Sequence, residues 1–229
     1  MRTIWRQWWR LGGALGIAFV AVFIVGVALQ SAPPLVDDPI DEIREDWVND
    51  GRQYLVADYL LGLSFALFYV PFLALLRELL GRAEGGVTLG SRIAFIGGIL
   101  IMAWAAWSSV FWGTLAFGDF AETASDETLR MLMTLDYYAV AGMPFSFVAF
   151  VGGTSLVIAL TGVLWRWLAY LGALEVVLSI LAPLSIFSES SDSLFDTVYT
   201  ASFLLLVVWI LLVGIAMVSR RSEPAPAVS

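Results

Sequence analysis

The sequence contains no histidine, no cysteine and no lysine, so every one of its basic residues is an arginine. Without histidine and cysteine, the usual haem ligands, Fe–S clusters, disulfides and thiol catalysis are excluded, and a zinc site would lack its preferred donors. Without lysine, no Schiff base to retinal or pyridoxal phosphate can form. We therefore expect no cofactor and no metal site.

Polar sequence is also scarce, because 60% of the residues are hydrophobic and only 14% are charged. Six apolar runs reach or approach the roughly 20 residues that cross a bilayer core of about 30 Å. They cover residues 11–29, 54–76, 93–117, 132–160, 167–187 and 194–218. Backbone polar groups cannot be left bare in lipid, so each run must be a helix. The sequence predicts an all-α polytopic bundle of six transmembrane helices, forming one domain over residues 1–221.

The arginines collect in alternate gaps between these runs, nine on one side and three on the other. The nine are Arg2, Arg6, Arg10, Arg77, Arg82, Arg92, Arg166, Arg220 and Arg221, against Arg44, Arg52 and Arg130. Short loops rich in arginine stay in the cytoplasm. We expect both termini inside a bacterial cytoplasmic (inner) membrane, with residues 30–53, 118–131 and 188–193 outside. The expected surroundings are the lipid bilayer, with no nucleic acid as partner.

A cleaved signal peptide is the rival interpretation of residues 1–29. Their apolar run is longer than the 7–15 or so residues of a typical signal core, and residues 30–33 make a poor cleavage site. Trp5, Trp8 and Trp9 lie where an interfacial aromatic belt would anchor a retained helix.

Three tandem helical hairpins are suggested by a weak internal repeat. A glycine follows six residues after Arg10, Arg92 and Arg166, the arginines that open the odd-numbered helices. Chance remains an alternative, since both residue types are common at these places. The glycines favour close packing within the chain over a dimer interface. Prolines inside three spans predict kinks; they are Pro71, Pro144 and Pro183.

The first outer loop contains its own helical pattern at residues 39–49. Pro39 suits a first helical position, and Ile40, Ile43 and Trp47 share one face. Gly51 is a natural stop. We predict a short amphipathic helix that lies on the outer membrane surface or caps the bundle. The tail, residues 222–229, is predicted to be disordered.

Glu175 is the one ionisable residue well inside a span, about 12 Å along the fifth helix. An acid at this depth costs roughly 2.5–3.5 kcal/mol and is tolerated mainly when it faces the bundle interior. We expect a neutral carboxyl on a small polar stripe with Ser179. It either handles protons or cations in a polar pocket or is satisfied structurally by neighbouring hydroxyls. Candidate partners at plausible depths include Ser64, Ser109 and Ser146, with Ser108 and Ser155 also within range.

Three aspartates open the even-numbered helices from the acidic side: Asp58, Asp136 and Asp196. Helix N-termini stabilise acids, so capping is one interpretation. The other is an outer vestibule that attracts cations, provided that the hairpins surround an axis.

The chain resembles, over roughly residues 8–218, bacterial six-helix integral membrane proteins grouped as a domain of unknown function. The resemblance rests on the hairpin layout, the glycine six residues after each opening arginine, and the Leu-Trp-Arg-Trp-Leu-Ala-Tyr-Leu-Gly segment at 164–172. It implies the fold and no particular activity.

No enzyme motif was found: residues 81–90 are glycine-rich but lack the Gly-Lys-Ser/Thr of a P-loop, and Gly118-Asp119 lacks the first glycine of an intramembrane aspartyl protease. The sequence favours a non-enzymatic integral membrane protein of unspecified molecular activity. One alternative is a transporter of a small solute, linked to a cation or proton through Glu175. Another is an accessory subunit of a larger membrane complex, with a membrane protein as partner.

Overall fold

The computed structural model of the protein describes residues 2–30, 33–187 and 194–220, without the side chains of residues 2–6 and 196. The α-helices are α1 Arg2–Leu29, α2 Ile40–Ser64, α3 Val70–Glu84, α4 Leu89–Leu115, α5 Phe120–Thr123, α6 Asp126–Gly142, α7 Pro144–Thr161, α8 Trp167–Leu181 and α9 Leu194–Ser219. A π-helical turn, Phe65–Tyr69, joins α2 to α3, and a 3₁₀ turn, Ala182–Phe187, follows α8. The predicted disordered tail and the outer loop at 188–193 lie outside the described residues.

The prediction of an all-α bundle with six membrane-spanning helices is confirmed. Six helical segments are long and apolar enough to cross a membrane, and the described residues contain no strand. The six are Gln7–Leu29, Ile40–Glu84, Leu89–Leu115, Asp126–Thr161, Trp167–Phe187 and Thr197–Ser219. We call the end of the bundle that carries the acid-rich connections the acidic end, and the other the arginine-rich end.

The spans form a ring in chain order. Each span contacts the next one, and α9 returns to contact α1. Within each of the three consecutive hairpins, the two arms pack against each other. Contacts of α7 with α3 and with α9 cross the ring and fill part of its interior. The chain therefore encloses a central space whose filling differs between the two ends.

The second span is one continuous helix of 45 residues from Ile40 to Glu84. At about 1.5 Å per residue it is roughly 68 Å long, more than twice the hydrocarbon thickness, so both its ends project beyond the apolar region. The predicted helix end at Gly51 is wrong, because Gly51 lies inside α2 and packs against Ala116.

Each of the three intramembrane prolines coincides with an interruption of regular α-helix. Pro71 follows the π-helical turn, in which the N–H of Val70 donates to the carbonyl of Phe65. Pro144 begins α7 where α6 ends, and Pro183 lies in the 3₁₀ turn. Proline lacks the N–H that the helix ladder needs, which explains the local change of hydrogen bonding.

Glycines close the interior toward the arginine-rich end. A Cβ built on Gly97 would lie 2.2 Å from the backbone nitrogen of Phe150, and one on Gly13 would lie 2.4 Å from the carbonyl oxygen of Gly214. Backbones thus touch between α4 and α7 and between α1 and α9. Gly12 and Gly16 likewise meet side chains of the same chain. This is close packing of the small-residue type common in membrane helices.

An apolar cluster caps the acidic end. Ile43 and Trp47 of α2 pack against residues near the end of α4 and on α6, including Leu115 and Leu129. Two arginines bind the connections around it. Arg44 pairs with Asp126 at 2.6 Å, and Arg130 donates to the carbonyls of residues 36 and 38. Residues 40–49 therefore help to cap the bundle as part of the second span.

Candidate functional site

Two of the predicted aspartates are held by neighbouring residues of one helix. Asp58 on α2 accepts a hydrogen bond from Ser109 at 2.5 Å, and Asp136 on α6 accepts one from Ser108 at 2.5 Å. The indole N–H of Trp112 donates to the second oxygen of Asp136 at 3.0 Å. Because the two serines are consecutive on α4, their hydrogen bonds bring the carboxyls of α2 and α6 to neighbouring positions.

All five of these residues line a cavity of about 670 Å³ inside the acidic half of the ring. Its walls come from α1, α2, α4, α6 and α9, with the π-helical turn and the start of α7. Its remaining lining is mainly apolar and aromatic, with Phe19, Phe23, Phe65, Phe147, Phe203 and Ile210 among it. Residues 33–36, the connection that Arg130 holds, line the mouth. The volume falls within the 300–1,000 Å³ or so typical of ligand pockets.

Tyr69, at the end of the π-helical turn, belongs to the deep part of the lining. From Asp58 to Tyr69 the helix advances about 16 Å, which is roughly half the hydrocarbon thickness. Tyr69 is fully buried, and its hydroxyl has no hydrogen-bond partner within the described part of the chain. A buried hydroxyl without a partner is unusual, and π-helical turns often mark functional positions.

The cavity has an uncompensated acidic character. Its lining includes Asp58 and Asp136 but no arginine. At the acidic end, Arg44 and Arg130 are instead bound to Asp126 and to backbone carbonyls. In the hydrogen bonds of both lining aspartates the carboxyl oxygens accept, which is how a carboxylate binds.

Glu175 lies elsewhere, in a close-packed site between α8 and α9. It is 0% exposed, and its Oε1 accepts from Ser179 at 2.6 Å and from Ser202 at 3.1 Å. The two serine hydroxyls are 2.9 Å apart, and Oε2 has no partner in the described structure. Neither Glu175 nor either serine lines the cavity. Helix α9 separates the two sites, since Tyr199 and Phe203 face the cavity while Ser202 meets Glu175.

None of the other predicted serines is a hydrogen-bond partner of Glu175 in the described structure. Ser64 and Ser146 donate to the carbonyls of the residues three positions earlier, Leu61 and Met143. Ser109 lies in the cavity as the partner of Asp58. The structure thus divides the predicted set, placing Ser179 with Glu175 and Ser109 with the aspartates. The side chain of Asp196 is outside the description.

Sequence reasoning missed Trp112, Tyr69 and Ser202 as site residues. Trp112 lies on the same helix as Ser108 and Ser109, one turn beyond Ser108, so the helical spacing offered a signal. Ser202 offered none, because nothing local tells which face of α9 meets α8. In the described ranges, no group of three or more acidic side chains is placed to hold a metal ion.

Comparison with models of protein families, with curated proteins and with solved structures gives no match for this chain. Its function therefore has to be argued from the geometry of the cavity and of the Glu175 site.

Proposed function

We propose that this chain is a multi-pass integral membrane protein, without enzymatic activity, that binds a small apolar molecule in the cavity at the acidic end. The observation that carries the proposal is the cavity itself, which combines apolar and aromatic walls with a few convergent polar groups near the mouth. Ligand sites usually have this composition, in which apolar walls supply affinity and the few polar groups fix orientation.

A binding role fits the polar groups better than a catalytic one. Ser108 and Ser109 both donate to carboxyls, and the chain has no histidine or lysine that could serve as a stronger base. A serine hydroxyl needs such a base to become a useful nucleophile. The groups at the mouth are therefore suited to hold a ligand in place.

Gly62 offers a direct test, because it lines the cavity and a Cβ added there meets nothing within 4 Å. Gly62→Phe should fill the cavity without displacing the backbone. Gly113→Phe is the matched control, since Gly113 also has open space around it but lies outside the cavity lining. Binding of tritiated decanol to protein in lipid nanodiscs is the measurement. We expect saturable binding that Gly62→Phe abolishes and Gly113→Phe retains; equal binding by both variants would remove the cavity as the site.

The proposed location is a bacterial cytoplasmic membrane with both termini in the cytoplasm, so that the cavity opens outward. The arginine distribution supports this orientation. Val87 and Phe117 lie in connections at opposite ends and are 77% and 75% exposed. Because the chain has no cysteine, single Val87→Cys and Phe117→Cys variants can be labelled without background. An impermeant maleimide should label only position 117 in intact cells. Labelling of position 87 alone would show that the orientation is the opposite of the proposed one.

Transport of the bound molecule is the second candidate, because the cavity reaches about half-way through the bundle and contacts of α7 with α3 and α9 fill part of the remaining interior. Alternating access requires a one-sided cavity of this kind. A proton-linked version would use Glu175, whose second oxygen lacks a partner among the described residues. Uptake of the bound molecule by liposomes that contain only this chain would support transport. A role as an accessory subunit stays a prediction, which co-purification with a larger partner would test.

A further inference from the structure

Resting on the proposed function, we infer that the ligand is a single-chain amphiphile with a cationic, ammonium-type head. The head lies beside Asp58 and Asp136, and the apolar tail runs inward toward Tyr69. The inference narrows the ligand from any small apolar molecule to one charge class and one orientation.

The charge of the head follows from the mouth of the cavity. Asp58 and Asp136 are both half-buried there, and neither has an arginine partner in the described structure. Burying a carboxylate without a counter-charge is costly. Two acids without a basic partner are therefore rare in a membrane helix bundle unless they have a function. A cation carried by the ligand supplies the missing charge.

The donors already present at the two aspartates argue against an anionic or strongly accepting head. Ser108, Ser109 and Trp112 all use their O–H or N–H groups on the carboxyls, so they are not available to a ligand oxygen. Apart from the phenol of Tyr199, what remains beside the two aspartates is acceptor capacity on carboxylate oxygens. An ammonium group, which has donors and no acceptor, complements it.

The orientation follows from the apolar interior. Below the aspartates the lining turns to phenylalanine and aliphatic side chains, and aromatic walls also attract cations that enter along them. The unpartnered hydroxyl of Tyr69 is an independent sign that the deep end is incomplete as it stands. Tyr69 lines that deep end and therefore marks how far the tail reaches.

The test compares three probes with the same tail: tritiated decylamine, decanol and decanoate. Each is bound to the full-length protein in nanodiscs of zwitterionic lipid at neutral pH, with Gly62→Phe protein as the background. We expect decylamine to bind roughly tenfold or more tightly than decanol, since a charge-assisted hydrogen bond is worth about that ratio. Decanoate should bind most weakly.

The Asp58→Asn/Asp136→Asn double variant should reduce the affinity for decylamine by roughly tenfold and leave the affinity for decanol within about twofold. Asp50→Asn/Asp119→Asn is the matched control, because it removes two exposed acids from the same end that do not line the cavity. Retained decanol binding shows that the double variant is folded with its cavity intact.

The outcomes separate the two levels of the proposal. If decylamine and decanol bind equally and the double variant changes neither affinity, the cationic head is wrong and the apolar cavity stands. If Asp50→Asn/Asp119→Asn weakens decylamine as much as the cavity variant does, the effect is general surface charge and the inference also fails. If no probe binds above the Gly62→Phe background, the proposed function itself falls.

Discussion

The acidic half and the arginine-rich half of the ring are built from the same kinds of residue but are packed in opposite ways. Gly97 and Gly13 let backbones touch in the closed half, whereas Gly62 faces open space in the cavity half. The acids show the same contrast within one depth of the bundle, because Ser202 lies between the cavity residues Tyr199 and Phe203 on α9. Glu175 is enclosed with Ser179 and Ser202, while Asp58 and Asp136 line a cavity. The structural role of a glycine or an acid in a membrane helix therefore depends on the helix that packs against it. Substitutions at these positions test that contrast.

The largest difference is expected when a lysine replaces each kind of acid. Glu175→Lys places an unpaired ammonium in a close-packed site and should destabilise the protein by about 2.5–3.5 kcal/mol. Asp58→Lys should destabilise the protein much less, because the cavity has room for the ammonium group and Asp136 supplies a carboxylate beside it. Unfolding in detergent, followed by fluorescence, measures both. Glu175→Gln, which keeps the shape and removes the titrating group, is the control. Equal stability of Glu175→Lys and the parent would mean that the site is wet.

Replacing a glycine with alanine is expected to give the second largest difference in stability between the two halves. Gly97→Ala overpacks the α4–α7 contact and should cost about 1–3 kcal/mol. Gly62→Ala meets no neighbour and should be neutral or stabilising by up to about 1 kcal/mol, the difference in helix propensity. Thermal unfolding of the two variants in the same detergent tests this. A destabilising Gly62→Ala would show that the cavity half is closed in solution.

A smaller contrast is expected for the hydroxyls. Ser202→Ala removes a donor from the enclosed carboxyl of Glu175 and should cost about 1 kcal/mol. Ser109→Ala removes a donor from Asp58, but water in the cavity can replace it, so the loss should be only a few tenths of that. Chemical denaturation of both variants provides the comparison. The reverse order would place water at Glu175 and a dry wall at Asp58.

The smallest effect concerns Glu84, the last residue of α3, where the helix projects beyond the apolar region at the arginine-rich end. Its two oxygens accept from the backbone N–H groups of Gly90 and Ser91 at 2.8 and 2.9 Å. Burial alone would raise the pKa of Glu84, but hydrogen bonds from Ser91 and Gly90 outweigh it and lower the pKa.

A lowered pKa means that this contribution is complete above the unfolded pKa of about 4.3 and is lost as the pH falls through the folded value. Glu84→Gln should therefore lower the melting temperature slightly at pH 7 and not at pH 3. Glu78→Gln, six residues earlier in α3 where the carboxylate pairs with Arg82 at the surface, is the comparison variant. A difference between Glu84→Gln and the parent that is the same at both pH values would exclude the carboxylate as its cause.

The spans were predictable because bilayer thickness fixes their length and composition, and no tertiary detail is needed to recognise them. The cavity was not predictable in the same way. Lipid and protein interior are both apolar, so hydropathy does not reveal which face of α7 or α9 points inward. Depth alone singled out Glu175, whereas the rotation of α4 placed Ser108 and Ser109 beside the two aspartates. The end of the amphipathic helix was misjudged at Gly51 because α2 continues through this buried residue and packs there against Ala116, far along the chain.

The closure of the ring between α1 and α9 sets the order in which the protein can be completed. The contact of Gly13 with Gly214 joins α1 to α9, which is synthesised later. At about 5–20 residues per second, on the order of ten to forty seconds separates their synthesis. Throughout that interval the glycine face of α1 lacks its α9 partner and is exposed to lipid or to membrane chaperones. A chain truncated before α9 would keep that face uncovered. Cellular quality control could then distinguish unfinished from finished copies by the exposed glycine face of α1.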